Sequence, residues 1–308
     1  MSDPGEQTTE DQEAERSLRK VEQGGLPVAA ERRLAELREG GRGAFTSDLS
    51  VNGFALCHRL GLTPLSQVMG SAVYQIGYQG LTWPMMMGGS TITEMETLSE
   101  AWNEVRRLAF NRLELEARAL GANAVVGVQV KVSRLDVGEG SIEYVVFGTA
   151  VRRANAPQSD QVVLTDLSVA DYSKLLAAGI EPAGIVAATS VFFATYEIGL
   201  LGGGMLGNAV NTAYNFELRE FTEAFYSARE TVMERIGLQA QQLGATGVVG
   251  VRISHSAQMQ DVSGGPGFAG GGAARKGLVA TFDAIGTAIR ETAPRRPQPP
   301  KPSIDLSI

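Results

Sequence analysis

The segment Ala119–Val130, ALGANAVVGVQV, returns as Gln242–Ile253, QLGATGVVGVRI, 123 residues further along the chain. Writing one helix end and strand start twice restricts the fold to two copies of one supersecondary unit, because similarity at a fixed spacing repeats the same local structure. The match extends in both directions. Ser47–Leu65 lies over Thr165–Ala183 at an offset of 118, Ser99–Arg106 over Thr222–Arg229 at 123, and Phe147–Arg152 over Ile285–Arg290 at 138. The second copy is therefore longer by 5 residues in its middle and by 15 between its last two strands. Those fifteen fit the glycine-rich Asp261–Gly277, whose composition predicts a mobile hairpin loop rather than a binding motif.

Each unit reads as a short helix, a strand, a long amphipathic helix and a two-stranded hairpin, an α+β domain. Ser50 and Ser168 are placed to cap the short helices, with Asp171 completing a capping box, and Gly61 and Gly179 to end them. Leu98, Trp102, Val105, Ala109, Leu113 and Leu120 recur at helical spacing, predicting a rod of about seven turns that stops before Gly121, with Thr93 and Glu96 as its capping box. Phe221, Phe225, Val232, Ile236 and Leu243 repeat the pattern before Gly244, with Gly237 as a weak spot. In the hairpin, strict alternation assigns Ala124, Val126, Val128, Val130 and Val132 to the interior face.

With 308 residues and 44% hydrophobic content, the chain can fill two cores of ordinary size. The expected boundaries are 1–42 for a disordered acidic tail plus a short helix, 43–154 and 160–291 for the repeats, and 292–308 for a Pro-rich tail. A net charge of −7 and a pI of about 5.1 exclude nucleic acid as the expected partner. The single cysteine, Cys57, excludes an internal disulfide, and the N-terminal MSDPGEQTTEDQEAER carries neither a basic nor an apolar leader segment, so the expected compartment is the cytoplasm. No apolar run reaches the 18 residues of a transmembrane helix.

Glu116–Val132, EARALGANAVVGVQVKV, followed by Glu143–Arg153, EYVVFGTAVRR, resembles the YbjQ-like family, labelled "putative heavy-metal-binding domain". The resemblance covers roughly 45–153 and 163–290, the second copy being more divergent. It implies a dodecin-like α+β subunit that assembles into a ring, typically five-fold. It carries over no catalytic or ligating residue, and its label implies a heavy-metal ion as the cofactor to test. A hairpin with one long helix covers a single sheet face, which by itself favours association.

The soft-metal inventory is Cys57, His58 and His255. Cys57 and His58 are neighbours on a helix and diverge by about 100°, so they read as a buried thiol beside a surface imidazole. His255 stands where the first copy has Val132, on the face assigned to the interior; it reads as a hydrogen-bonded core residue, as a residue past the buried end of the strand, or as a metal or pH-sensing group formed where copies meet. The run Met85, Met86, Met87 offers thioethers, which also fill interfaces. Gly202–Gly207, GGGMLG, fits a dinucleotide-loop pattern that the first copy lacks. Glu114 and Glu116 read as a solvated helix face, and no acid–base constellation emerges.

Residues 60–93 hold no charge and 182–216 only Glu197. Burial at subunit contacts is the favoured cause, which makes Trp83, Met85, Met86, Met87, Met205, Leu206 and Tyr214 the expected interface. Membrane-surface insertion is less favoured because flanking Lys and Arg are lacking, and an apolar ligand pocket is the third reading. At the ends, Pro27–Gly41 predicts a short helix whose Leu34 and Leu37 dock on a neighbour, and the closing SIDLSI alternates as a strand-addition segment or a frayed tail. The expected function is a non-enzymatic, self-assembling ring- or shell-forming protein, with a metal or small-ligand module and a membrane-surface oligomer as alternatives.

Overall fold

The protein's structure, a computed structural model, describes residues 4–39, 46–75, 91–135, 141–153, 161–195, 217–262 and 275–292. After two N-terminal helices, α1 (Pro4–Glu22) and α2 (Val28–Arg38), the first repeat runs α3 (Val51–Arg59), β1 (Leu62–Gln75), β2 (Thr91–Glu94), α4 (Glu96–Ala119), β3 (Ala124–Leu135), β4 (Ser141–Arg153). The second runs β5 (Val163–Leu164), α5 (Val169–Ala177), β6 (Ile180–Thr195), α6 (Arg219–Gln242), β7 (Gly247–Val262), β8 (Arg275–Glu291). The α+β repeat expected from the sequence is thus present twice. Among the described residues, no helix is long and apolar enough to cross a membrane.

Among the described residues two four-stranded sheets form, ordered β1-β4-β3-β5 and β2-β6-β8-β7. In each, three strands of one repeat pair antiparallel and the fourth comes from the other repeat. The long helices supply the cores. Val105, Ala109 and Leu113 of α4 are fully buried against Val68, Val125 and Val146 of the first sheet, and Val232 and Ile236 of α6 lie against Val186, Ala188 and Ala280 of the second. Each of the Val, Leu and Ile side chains contributes about 1.5–3 kcal/mol of burial.

The hairpin faces differ from strict alternation. Gly127 and Gly250, at φ +65° and +66°, sit in bulges that interrupt the β3–β4 and β7–β8 registers. The extra residue slips the alternation by one. Ala124 and Val126 consequently face α3 and α5, whereas Val125, Val128 and Val130 face α4. Both faces of the first sheet are covered, the second one by short helices from both repeats.

Other expectations are corrected by competing contacts. Thr93 does not cap α4, because it pairs with Phe193 in a strand; α4 begins after Met95 without a side-chain cap. Ser50 and Ser168 do cap, accepting from Gly53 N–H at 3.1 Å and Asp171 N–H at 3.2 Å, but the Asp171 carboxylate returns to Ser168 Oγ at 2.7 Å rather than to its backbone. The second hairpin absorbs part of its fifteen extra residues as strand: Gln260–Val262 pair with Arg275–Gly277. Instead of disorder, residues 4–22 form a helix, and the α1–α2 pair docks on its own chain. Arg112 of α4 donates to the Val21 and Gly25 carbonyls at 3.0 and 3.3 Å, Leu34 is buried, and Arg33 pairs with Glu116 at 2.6 Å. Glu116 is accordingly buried, where it accepts from Met69 N–H at 2.9 Å, and is not part of a solvated face. Trp83, Met85, Met86, Met87, Met205, Leu206 and Tyr214, the GGGMLG motif and SIDLSI lie outside the described residues.

The α4 backbone approaches β1 so closely at Gly70 that a Cβ there would lie 2.0 Å from Ala109 O and 2.5 Å from Leu113 N. Gly70→Ala is expected to lower stability by about 1–3 kcal/mol, read as a fall in the urea midpoint.

Candidate functional site

The part of the molecule with the most specific chemistry is the seam between the repeats, which is built by exchange. An open strand edge presents unpaired N–H and C=O groups that must find partners. β2 of the first repeat closes the end of β6, pairing Thr91–Glu94 with Phe192–Thr195. In return, β5 lies parallel to the start of β3. The segment after β5 continues the contact: Thr165 N–H donates to Val125 O at 2.9 Å, and Val128 and Gly127 N–H donate to Thr165 O and Leu167 O at 3.0 Å each. The bulge at Gly127 frees the two donors that this arm receives. Behind the arm, Val169 and Tyr172 of α5 enter a core with Cys57, Ala124, Val126 and Val151 of the first repeat.

Further along β6, where β2 has ended, α4 covers the edge with side chains. Ser99 Oγ accepts from Val191 N–H at 2.9 Å, and Asn103 accepts from Thr189 N–H at 3.1 Å while donating to Thr189 O at 3.0 Å. Arg106 donates to Thr189 Oγ1 at 2.6 Å, and that hydroxyl donates to Asp283 Oδ1 at 2.7 Å. Arg235 of α6 closes the opposite side, pairing with Glu94 at 2.8 Å and donating to Thr189 O at 3.0 Å.

Burial dominates the electrostatics. It pushes the Asp283 carboxyl up against the opposing effects of the Thr189 hydrogen bond and the Arg106 charge, and it pushes the Arg106 guanidinium down. It raises the Tyr144 hydroxyl to about 12 although Arg106 hydrogen-bonds to it. Trp102, Arg106, Tyr144, Arg252 and Asp283 line a cleft of about 540 Å³ between the repeats. Arg106, Thr189 and Asp283 satisfy one another, so this network holds two repeats in register; it is a joint.

Sequence-predicted candidates fall elsewhere. Cys57 is buried, its thiol pushed up by burial, whereas His58 points out edge-on to Phe54 at 4.9 Å. His255 does lie on the helix-facing side of β7, edge-on to Phe225 at 5.6 Å and stacked on Phe282 at 6.5 Å. It is exposed rather than interior, because β7 is an edge strand. Among the described residues, no group of three His, Cys, Asp or Glu side chains could hold a metal ion.

The seam residues Ser99, Asn103, Arg106 and Asp283 are missed by motif reasoning. A signal for the first three exists: they follow the apolar stripe Leu98, Trp102, Val105 one residue later at the same spacing, a second helix face with its own contacts. Asp283 stands as the lone acid within GLVATFDAIGTAI.

Arg106→Leu takes the donor from the buried Thr189 hydroxyl and the cation from beside the half-buried Asp283 carboxyl, and is expected to cost about 1–3 kcal/mol near neutral pH, measured by denaturant unfolding. Because the folded Asp283 carboxyl holds its proton more tightly than the unfolded one, wild-type stability falls as pH rises from the ordinary carboxylate range through its raised folded value. Asp283→Asn should lack that component of the pH dependence.

The family described as "Putative heavy-metal-binding", the YbjQ-like family, matches residues 46–154 and 182–290. An encapsulin nanocompartment protein of Mycobacterium tuberculosis is 34% identical over 235 residues, covering 75% of this chain and 83% of the relative. A UPF0145 protein of Clostridium novyi is 41% identical over 59 residues, 19% of this chain and 55% of that protein. One of Thermus thermophilus is 34% identical over 103 residues, 33% of this chain and 83% of that protein. With two matched regions, one for each half of the seam, the chain belongs to the YbjQ-like family as a tandem pair.

Proposed function

We propose that this chain is a non-enzymatic, self-assembling structural protein whose two repeats occupy neighbouring positions in a closed ring or shell. The observation that carries this reading is the reciprocal exchange at the seam, where each repeat completes the other's sheet. A unit that closes its edges only through a neighbour is built for repetition. The relative named as an encapsulin nanocompartment protein supports the same reading, since a compartment is an assembly of many copies.

The seam is head-to-tail, because the surfaces that meet on the two repeats differ. Such contacts form rings when the rotation between units closes. A ring of whole chains holds an even number of repeats, so five-fold symmetry of chains means ten positions. We place the assembly in the cytoplasm, in keeping with the acidic composition and the single buried thiol. The heavy-metal description of the family finds no ligand cluster among the described residues of one chain, and metal binding is not part of this reading.

Size-exclusion chromatography with light scattering is the test. The expected mass is a whole multiple of 32.6 kDa, about five-fold for the ring of ten repeats, and stable on dilution through the micromolar range. A single species at the mass of one chain overturns the proposal.

A further inference from the structure

The repeats are equivalent in sequence but unequal in exposure, and the inequality follows a pattern. Val169 of α5 is 2% exposed in the seam, whereas its first-repeat counterpart, Val51 of α3, is 87% exposed. Val191 on the edge of β6 that α4 covers is 0% exposed, but its counterpart on β1, Val73, is 61% exposed, and Met69 on the same strand is 49% exposed. On the other repeat the asymmetry reverses. Asn103 of α4 reads the β6 edge, while its counterpart on α6 is Tyr226, 67% exposed. Val169, Val191 and Asn103, which take part in the seam, thus have exposed equivalents on the other repeat.

Those open groups form two surfaces. One, on the first repeat, holds Val51, Met69 and Val73; the other, on the second, holds Tyr226 and the bulged edge of β7. These are the two complementary halves of a seam, carried on opposite repeats of one chain.

From this we infer, building on the assembly reading above, that the first repeat of one chain docks on the second repeat of the next by repeating the internal seam. The arm at Thr46–Leu49 lies along β7 as the arm at Leu164–Leu167 lies along β3. Ser47 N–H then donates to the neighbour's Val248 O, and the neighbour's Val251 and Gly250 N–H donate to Ser47 O and Leu49 O. The components are in place. The bulge leaves Gly250 and Val251 out of the β8 ladder as it leaves Gly127 and Val128 out of the β4 ladder. The arm is already held in the matching pose: Ser47 Oγ lies 3.2 Å from Thr149 Oγ1 and accepts from Leu49 N–H at 2.9 Å, as Thr165 Oγ1 lies 3.0 Å from Thr287 Oγ1 and accepts from Leu167 N–H at 3.2 Å. The partner is a second copy of this chain because the occupant of the same groove inside the chain is this chain's own repeat. Val51 then fills the site against the second sheet that Val169 fills against the first.

The test uses the full chain. Leu164 faces Val125 across the internal pairing, so Thr46 faces Val248 across the proposed one. Thr46→Cys combined with Val248→Cys, oxidised mildly, is expected to give a non-reducing ladder of multiples of the chain mass. Wild type treated alike stays single, since Cys57 is buried with its thiol pushed up. Separately, Val51→Asp is expected to reduce the assembly to single chains, with circular dichroism unchanged. An exposed first-turn position tolerates an acid, so loss of assembly there is not loss of fold. A large assembly with neither cross-links nor sensitivity to Val51→Asp overturns this inference and leaves the assembly reading standing. Wild type that is itself a single chain overturns both.

Discussion

The unpaired strand edge is the constraint on which this structure depends. Three antiparallel strands and one long helix make a core, but they leave two rows of backbone donors and acceptors that cannot be buried unsatisfied. The chain answers by trading segments. β2 and the α4 side chains Ser99 and Asn103 close β6, and the arm around β5 closes β3. Neither closure uses a free-standing extra strand of the same repeat, so the two halves are bound by main-chain hydrogen bonds and not only by apolar packing.

Main-chain pairing alone leaves the relative placement of the halves loosely specified, since parallel and antiparallel ladders can slip. The network of buried Arg106 and Thr189 with half-buried Asp283 removes that freedom. A guanidinium taken out of water is tolerable only when it finds acceptors, so one register is preferred to its neighbours. The second repeat has Arg229 at the position of Arg106, and there the side chain is exposed. The first repeat has Val145 at the position of Asp283. The outer faces thus carry the counterpart of Arg106 without a carboxylate at the position of Asp283.

Duplication lets the copies diverge once one seam is internal. The first repeat gained a cover of two helices, docked through Leu34 and through Arg112 to the Val21 carbonyl. The second lengthened its hairpin, with strands of 16 and 17 residues against 12 and 13. Both changes act on helix flanks and hairpin tips, where extra chain disturbs neither the sheet ladder nor the seam.

Local regularities were legible in the chain itself. The tandem repeat, the order of elements, the 24-residue α4 with its buried stripe and the Ser50 and Ser168 caps all follow from spacing and local hydrogen bonding, which act within a few residues. The hairpin faces were misread because a bulge at one glycine reverses a period-two pattern without altering composition. Thr93 was misread because a strand partner about a hundred residues away outcompeted a cap worth about 1 kcal/mol. Glu116 and the N-terminal helix were misread for the same reason, each being settled by a contact distant in sequence. What the sequence determined, then, was the repeated unit. Which repeat completes which sheet, and that Arg106 and Asp283 meet at the Thr189 hydroxyl, only the tertiary structure decided, because edge pairing joins segments that no local pattern links.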